Sequence, residues 1–121
     1  MENQAMFDFE VVKRQVSSAY KELKQEDMIS WSLEEILSFF EFYYSCYEAY
    51  TGYNHPRLTK QTIKRCIVRI PQDTDGFDYS LDDYEVMVDK YFRTRFEDCD
   101  YSIVHFLSGD IRLYRLWETC L

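Results

Sequence analysis

The side chains with the most obvious chemical potential in this chain are carboxylates. Between residues 73 and 89 lie Asp73, Asp75, Asp78, Asp82, Asp83, Glu85 and Asp89, with no Lys or Arg among them. Upstream, Glu34, Glu41 and Glu48 recur every seven residues; on a helix rising 1.5 Å per residue they form a line with steps of about 10.5 Å. Carboxylates so arranged can serve three ends. A hard cation such as calcium needs several convergent oxygens, and Asp73-x-Asp75 followed by Gly76 resembles the opening of an EF-hand loop. The spacing argues against it, because glycine falls at position four rather than six and position twelve is Tyr84 rather than glutamate. Rows of carboxylates also imitate a phosphate backbone, and a groove lined with Lys and Arg is attracted to them less strongly as salt rises. The plainest role is solvation, with Asp82 and Asp83 complementing the dipole of a helix that starts beside them.

The opposite pole is residues 57–72, where Arg57, Lys60, Lys64, Arg65 and Arg69 stand without a single acid. A short basic helix after a long one can act as a nucleic-acid recognition element, with these cations on phosphates and Gln61 reaching a base edge. The turn containing Pro56 is longer than a tight helix-turn-helix uses, and the formal net charge of the chain is −8. That balance disfavours general affinity for nucleic acid and favours a basic partner. Acidic and basic patches on one surface also fit each other across two copies, so a homodimer is a further possibility.

Nucleophilic chemistry has little to work with. His55 precedes Pro56 in a loop, and His105 follows Cys99 and Asp100 in an apolar phrase. No glycine turn for an oxyanion and no third orienting group accompanies them, so both histidines read as structural, His55 as one that orders its loop. Arg112 and Arg115 near the end read as partners for Asp98, Asp100 or Asp110. Walker, dinucleotide-binding and H-E-x-x-H patterns are missing from the sequence. The expectation is a protein without catalytic residues, cofactor or metal.

These groups must be carried by helices. The stretch WSLEEILSFFEFYYSCYEAYTGY, Trp31 to Tyr53, has Ser32 and Glu35 as a capping box, Trp31 placed to staple onto Ile36, and Gly52 then Pro56 as its end. Its apolar residues sweep roughly 220° of the circumference, about twice the stripe of an ordinary surface helix. A helix at about 32–51 should therefore be sheathed by others, leaving a wedge of Glu34, Ser38, Glu41, Ser45 and Glu48. Residues 2–25 carry Ala5, Phe9, Val12, Val16, Tyr20 and Leu23 at steps of three and four, an amphipathic helix, and 25–30 is a turn. Thr59 caps a third helix with Ile63, Cys66, Ile67 and Ile70 on one face, ended by Pro71. Ser80 and Asp83 cap a fourth, running to about Phe96. Ile103, Val104, Phe106 and Leu107 form a short apolar turn, and a last helix turns Leu113, Leu116, Trp117 and Cys120 inward. The prediction is an all-α bundle of five to six helices in one domain, 1–121, around the aromatic-rich helix.

Composition agrees. Of 121 residues 46% are hydrophobic and 18% aromatic, with 11 Tyr and 9 Phe, enough to build one core and leave tyrosines for an interface. Four cysteines, 20 to 33 residues apart, form no Cys-x-x-Cys pair, so neither a zinc ribbon nor a disulfide scaffold is expected. With no signal-like start and no apolar run near 18 residues, a reduced, cytoplasmic protein away from membranes is expected.

Two phrases, YEAYTGYNHPRLTKQTIKRCI and YFRTRFEDCDYSIVHFLSGDIRLYRLWETC, resemble small proteins of phages and mobile elements in Gram-positive bacteria. The shared features are Tyr-Thr-Gly with a following His-Pro, Cys-Asp-Tyr-Ser-Ile with a His-Phe, and an Arg with an aromatic near the end. The resemblance implies a phage or mobile-element setting in a bacterial cytoplasm and brings no catalytic residues. Small, acidic, aromatic-rich phage proteins are similar in composition to anti-defence and anti-CRISPR inhibitors. The expected activity is non-enzymatic: binding and inhibition of a basic, nucleic-acid-binding host protein by nucleic-acid mimicry, through Glu34, Glu41, Glu48, Asp75, Asp78, Asp82 and Asp83 with Tyr53 and Tyr79 as anchors. The alternative is a nucleic-acid-binding module using Arg57, Lys60, Lys64, Arg65 and Arg69.

Overall fold

A computed structural model of the chain describes residues 9–24, 31–70, 80–94 and 100–107. Within them the protein is an all-α bundle of α1 (Phe9–Lys24), α2 (Leu33–Thr51), α3 (Lys60–Arg69), α4 (Leu81–Arg93) and the single turn α5 (Ile103–Phe106). The expected segments at 2–8, 25–30 and 108–121, including Leu113, Leu116, Trp117 and Cys120, lie outside the described residues.

Local chemistry sets most of the boundaries. Ser32 accepts from the Glu35 N–H while Glu35 accepts from the Ser32 N–H, closing the capping box that opens α2. Gly52, at φ 80°, ends it in the left-handed region that favours glycine, its N–H bonding to Glu48 O at 2.9 Å. Thr59 caps α3 through the Thr62 N–H, and Ser80 with Asp83 forms a second capping box at α4. Replacing Ser80 by alanine should destabilise the protein by about 1 kcal/mol in urea titration, since it orphans an N–H at the helix start. A change under about 0.3 kcal/mol would mean the cap carries no weight.

α4 stops at Arg93, short of the expected Phe96. Thr94 is extended, its hydroxyl donates to Lys90 O at 2.8 Å, and its own carbonyl accepts from the Tyr101 hydroxyl at 2.6 Å. A tertiary hydrogen bond has taken the carbonyl that another helical turn would need.

α2 lies against α4 on one flank and α1 on another, α1 lies against α3, and α3 meets α5. Ile36, Phe39, Phe40, Tyr43 and Tyr44 form the buried stripe of α2, with Phe39, Phe40 and Tyr43 wholly enclosed. Phe39 is a wholly buried hub: the rings of Trp31, Phe40, Tyr43, Tyr84 and Phe106 all have centroids within 6.5 Å of it. Trp31 packs onto Phe39 and Tyr84, so it joins α2 to α4. The sheath is narrower than the pattern implied. Leu37, Phe42, Cys46 and Tyr47 are half-buried, and Tyr50 is 49% exposed.

Candidate partner-binding surface

Glu34, Glu41 and Glu48 follow from the phase of α2. The buried stripe occupies the inner side, so residues a heptad apart on the other side emerge into water, and all three are exposed. None is ion-paired with a described residue. Glu41, Ser45 and Glu48 also form the rim of a recess of about 150 Å³ whose walls are Phe9, Tyr44, Asn54 and His55. Two of the three glutamates therefore border a concavity with an aromatic wall.

That wall is organised by His55, which is 4% exposed. Its ring stacks on Tyr44, centroids 4.3 Å apart and planes 11° apart, and meets the edges of Tyr43 and Tyr47. The Ile103 N–H donates to Nε2 at 2.9 Å, so Nε2 is the bare nitrogen and the proton sits on Nδ1, 2.8 Å from Pro56 O. The loop after α2 thus satisfies a helix-terminal N–H of α5. Burial pushes the imidazole pKa below its ordinary value, against the opposing pull of the Pro56 carbonyl and the Asp100 charge. Next to it Tyr101 takes φ 56°, an uncommon conformation for an aromatic residue. The Tyr43 hydroxyl points at the Tyr101 and Ser102 carbonyls, 2.9 and 3.0 Å away, and the Tyr101 ring stacks on Phe92. Sequence identified His55 as a loop-ordering residue; its acceptor role towards α5 joins positions 48 apart and had no local signal.

Asp82 is exposed in the first turn of α4, whereas the Asp83 carboxylate is engaged in the capping box, accepting from the Ser80 N–H at 3.0 Å. Asp75, Asp78 and Tyr79 lie outside the described residues, as do Asp73 and the calcium-like opening. Asp89 pairs with Arg93 at 3.2 Å and lies 3.5 Å from the Tyr50 hydroxyl. Burial, then the charges of Asp89 and Glu85, push the Cys46 thiol up. Tyr53 is 66% exposed, and Tyr50, half-open and stacked on Phe92 with planes 8° apart, adds an aromatic surface that the helical pattern had turned inward.

The basic helix is partly compensated. Glu22 of α1 accepts from both Lys60 and Lys64, the latter at 2.8 Å, and these ammonium groups hold its carboxyl down to about 2. Solvent screens so exposed a cluster, which limits its contribution to stability. Arg69 donates to Leu107 O at 3.2 Å. Arg57, Arg65 and Arg69 have no acidic partner among the described residues, and no described acid of α4 pairs with α3.

His105 lies with Nδ1 2.7 Å from the Tyr91 hydroxyl, a structural contact between α5 and α4; Cys99 is outside the described residues. Among the described residues no three His, Cys, Asp or Glu side chains converge as a metal site would require, and no helix is long and apolar enough to cross a membrane. Comparison with protein-family models, curated proteins and solved structures finds no match.

Proposed function

We propose that this chain is a non-enzymatic accessory protein, of a phage or mobile element, that binds a basic, nucleic-acid-binding protein of its bacterial host and occludes the groove where that protein holds phosphates. The observation that carries the reading is the Glu34, Glu41 and Glu48 row: three exposed carboxylates, evenly spaced on a helix anchored by Ile36, Phe39, Phe40, Tyr43 and Tyr44, with no cation of the described chain upon them. A rigid, uncompensated row presents its field outward, and a phosphate-binding groove supplies matching charge. Asp82 adds an exposed carboxylate in the first turn of α4, and Tyr53 offers the kind of aromatic anchor that interfaces favour. The recess beside Glu41 and Glu48 gives a Lys or Arg side chain of the partner a place to enter.

The nucleic-acid-binding alternative is weaker on the same grounds, because Lys60 and Lys64 already share Glu22. The test is affinity capture from nuclease-treated host lysate with the wild type and with E34K/E41K/E48K, the circular dichroism of both being compared first. Wild type should retain a nucleic-acid-binding protein, compete with its nucleic acid, and release it as salt is raised. The reversed variant should bind it at least about tenfold more weakly, as charge repulsion at a complementary interface predicts. Equal capture by the folded variant, or no competition with nucleic acid, refutes the proposal.

A further inference from the structure

The cations of α3 divide into two pairs with different fates. Lys60 and Lys64 face α1 and are neutralised by Glu22, while Arg65 and Arg69, one turn apart, border a cavity of about 270 Å³ on the side of α5. Thr62, Cys66, Val104 and Leu107 are the other described residues of its lining, and none of them is acidic. Cys66 supplies no negative charge there, because burial pushes its thiol up to about 11 and the two neighbouring guanidinium groups only partly counter this. Two like charges at i and i+4 repel each other, and here both stand at one concavity. Arg69 is anchored there by its bond to Leu107 O, which leaves most of its five donors for a ligand.

From this arrangement we propose that Arg65 and Arg69 form a binding site for a phosphate monoester, the phosphoryl group between the two guanidinium groups and a small apolar substituent against Val104 and Leu107. The charge count selects the class. A monoester carries nearly two negative charges at neutral pH, matching two arginines, whereas a carboxylate or a backbone phosphodiester brings one. Guanidinium forks also suit phosphoryl oxygens in bidentate geometry. The Thr62 hydroxyl is within the same lining. This site is separate from the glutamate row and does not depend on the function proposed for it.

The test uses the full chain, with phenyl phosphate, benzoate and an oligothymidine lacking terminal phosphates as probes, followed by NMR at the arginine Nε–H signals. Phenyl phosphate should give saturable shifts at Arg65 and Arg69 and bind about tenfold more tightly than benzoate or the oligonucleotide, calculated per site. R65Q and R69Q should each weaken it about tenfold, and K60Q less than about twofold, because Lys60 faces the other side. R65Q leaves the Leu107 bond in place, so its loss of binding is not a folding effect. The proposal is overturned by absence of saturable shifts, by equal binding of benzoate or the oligonucleotide, or by equal loss in K60Q. It is also overturned if sedimentation shows a dimer that R65Q dissociates, since a carboxylate of a second copy would then be the occupant.

Discussion

Replacing His55 by alanine is expected to destabilise the protein by about 3 kcal/mol, read as a lower urea midpoint with an unchanged slope. Two losses combine. The Ile103 N–H, enclosed at the start of α5, loses its acceptor, and an orphaned buried donor costs about 1–3 kcal/mol. The stacked face of Tyr44 and the edges of Tyr43 and Tyr47 also lose their ring partner. His55→Phe separates these effects, because it keeps an aromatic ring and removes the acceptor. The pH dependence has a definite sign. Burial depresses the folded-state pKa of His55, so below the ordinary imidazole value of about 6.5 the unfolded chain binds a proton that the folded one refuses. Wild-type stability is therefore full above that pH and declines as pH falls towards the depressed folded-state value, by at most about 1.4 kcal/mol per pH unit from this group. His55→Phe should decline less steeply over the same window. Parallel curves for the two proteins would show that His55 is not the buried neutral acceptor described.

Phe39→Ala should have the larger effect, about 4 kcal/mol. Its side chain is wholly buried and its ring meets five others drawn from α2, α4, α5 and the segment before α2. Removing it takes away transfer free energy and edge-to-face contacts, and leaves a void that packed aromatic rings cannot readily close. Against a total stability of about 5–15 kcal/mol for an ordinary domain, such a loss approaches unfolding. Tyr53→Ala, at a site 66% exposed, should change stability by no more than about 0.5 kcal/mol. It should nevertheless weaken partner capture if Tyr53 is an anchor. Comparable destabilisation by the two substitutions would contradict a core centred on Phe39.

What could be read without coordinates were the features whose chemistry closes within a few residues. Ser32 with Glu35 and Ser80 with Asp83 bond across three positions, Gly52 takes its left-handed turn locally, and Thr59 reaches the Thr62 N–H. Helix starts are therefore written into adjacent side chains. The phase of α2 follows equally from periodicity, which is why Phe39, Phe40 and Tyr43 are enclosed while Glu34, Glu41 and Glu48 stand in water. Interactions between distant positions were a different matter. Nothing near Lys60 and Lys64 marks Glu22, 38 and 42 residues earlier, as their shared counterion. The end of α4 depends on a hydroxyl seven positions on, at Tyr101.

The sequence by itself determined that the chain folds as helices, where α2, α3 and α4 begin, and that a line of glutamates emerges opposite the oily side of α2, because these follow from backbone geometry over one or two turns. Only the tertiary structure decided which flanks of α2 are covered, that Tyr50 remains half-open, that Glu22 compensates one side of the basic helix, and that His55 holds the start of α5. Those outcomes depend on which helices become neighbours. That choice is made by the whole core at once, through side chains tens of residues apart, and a local pattern carries no record of it.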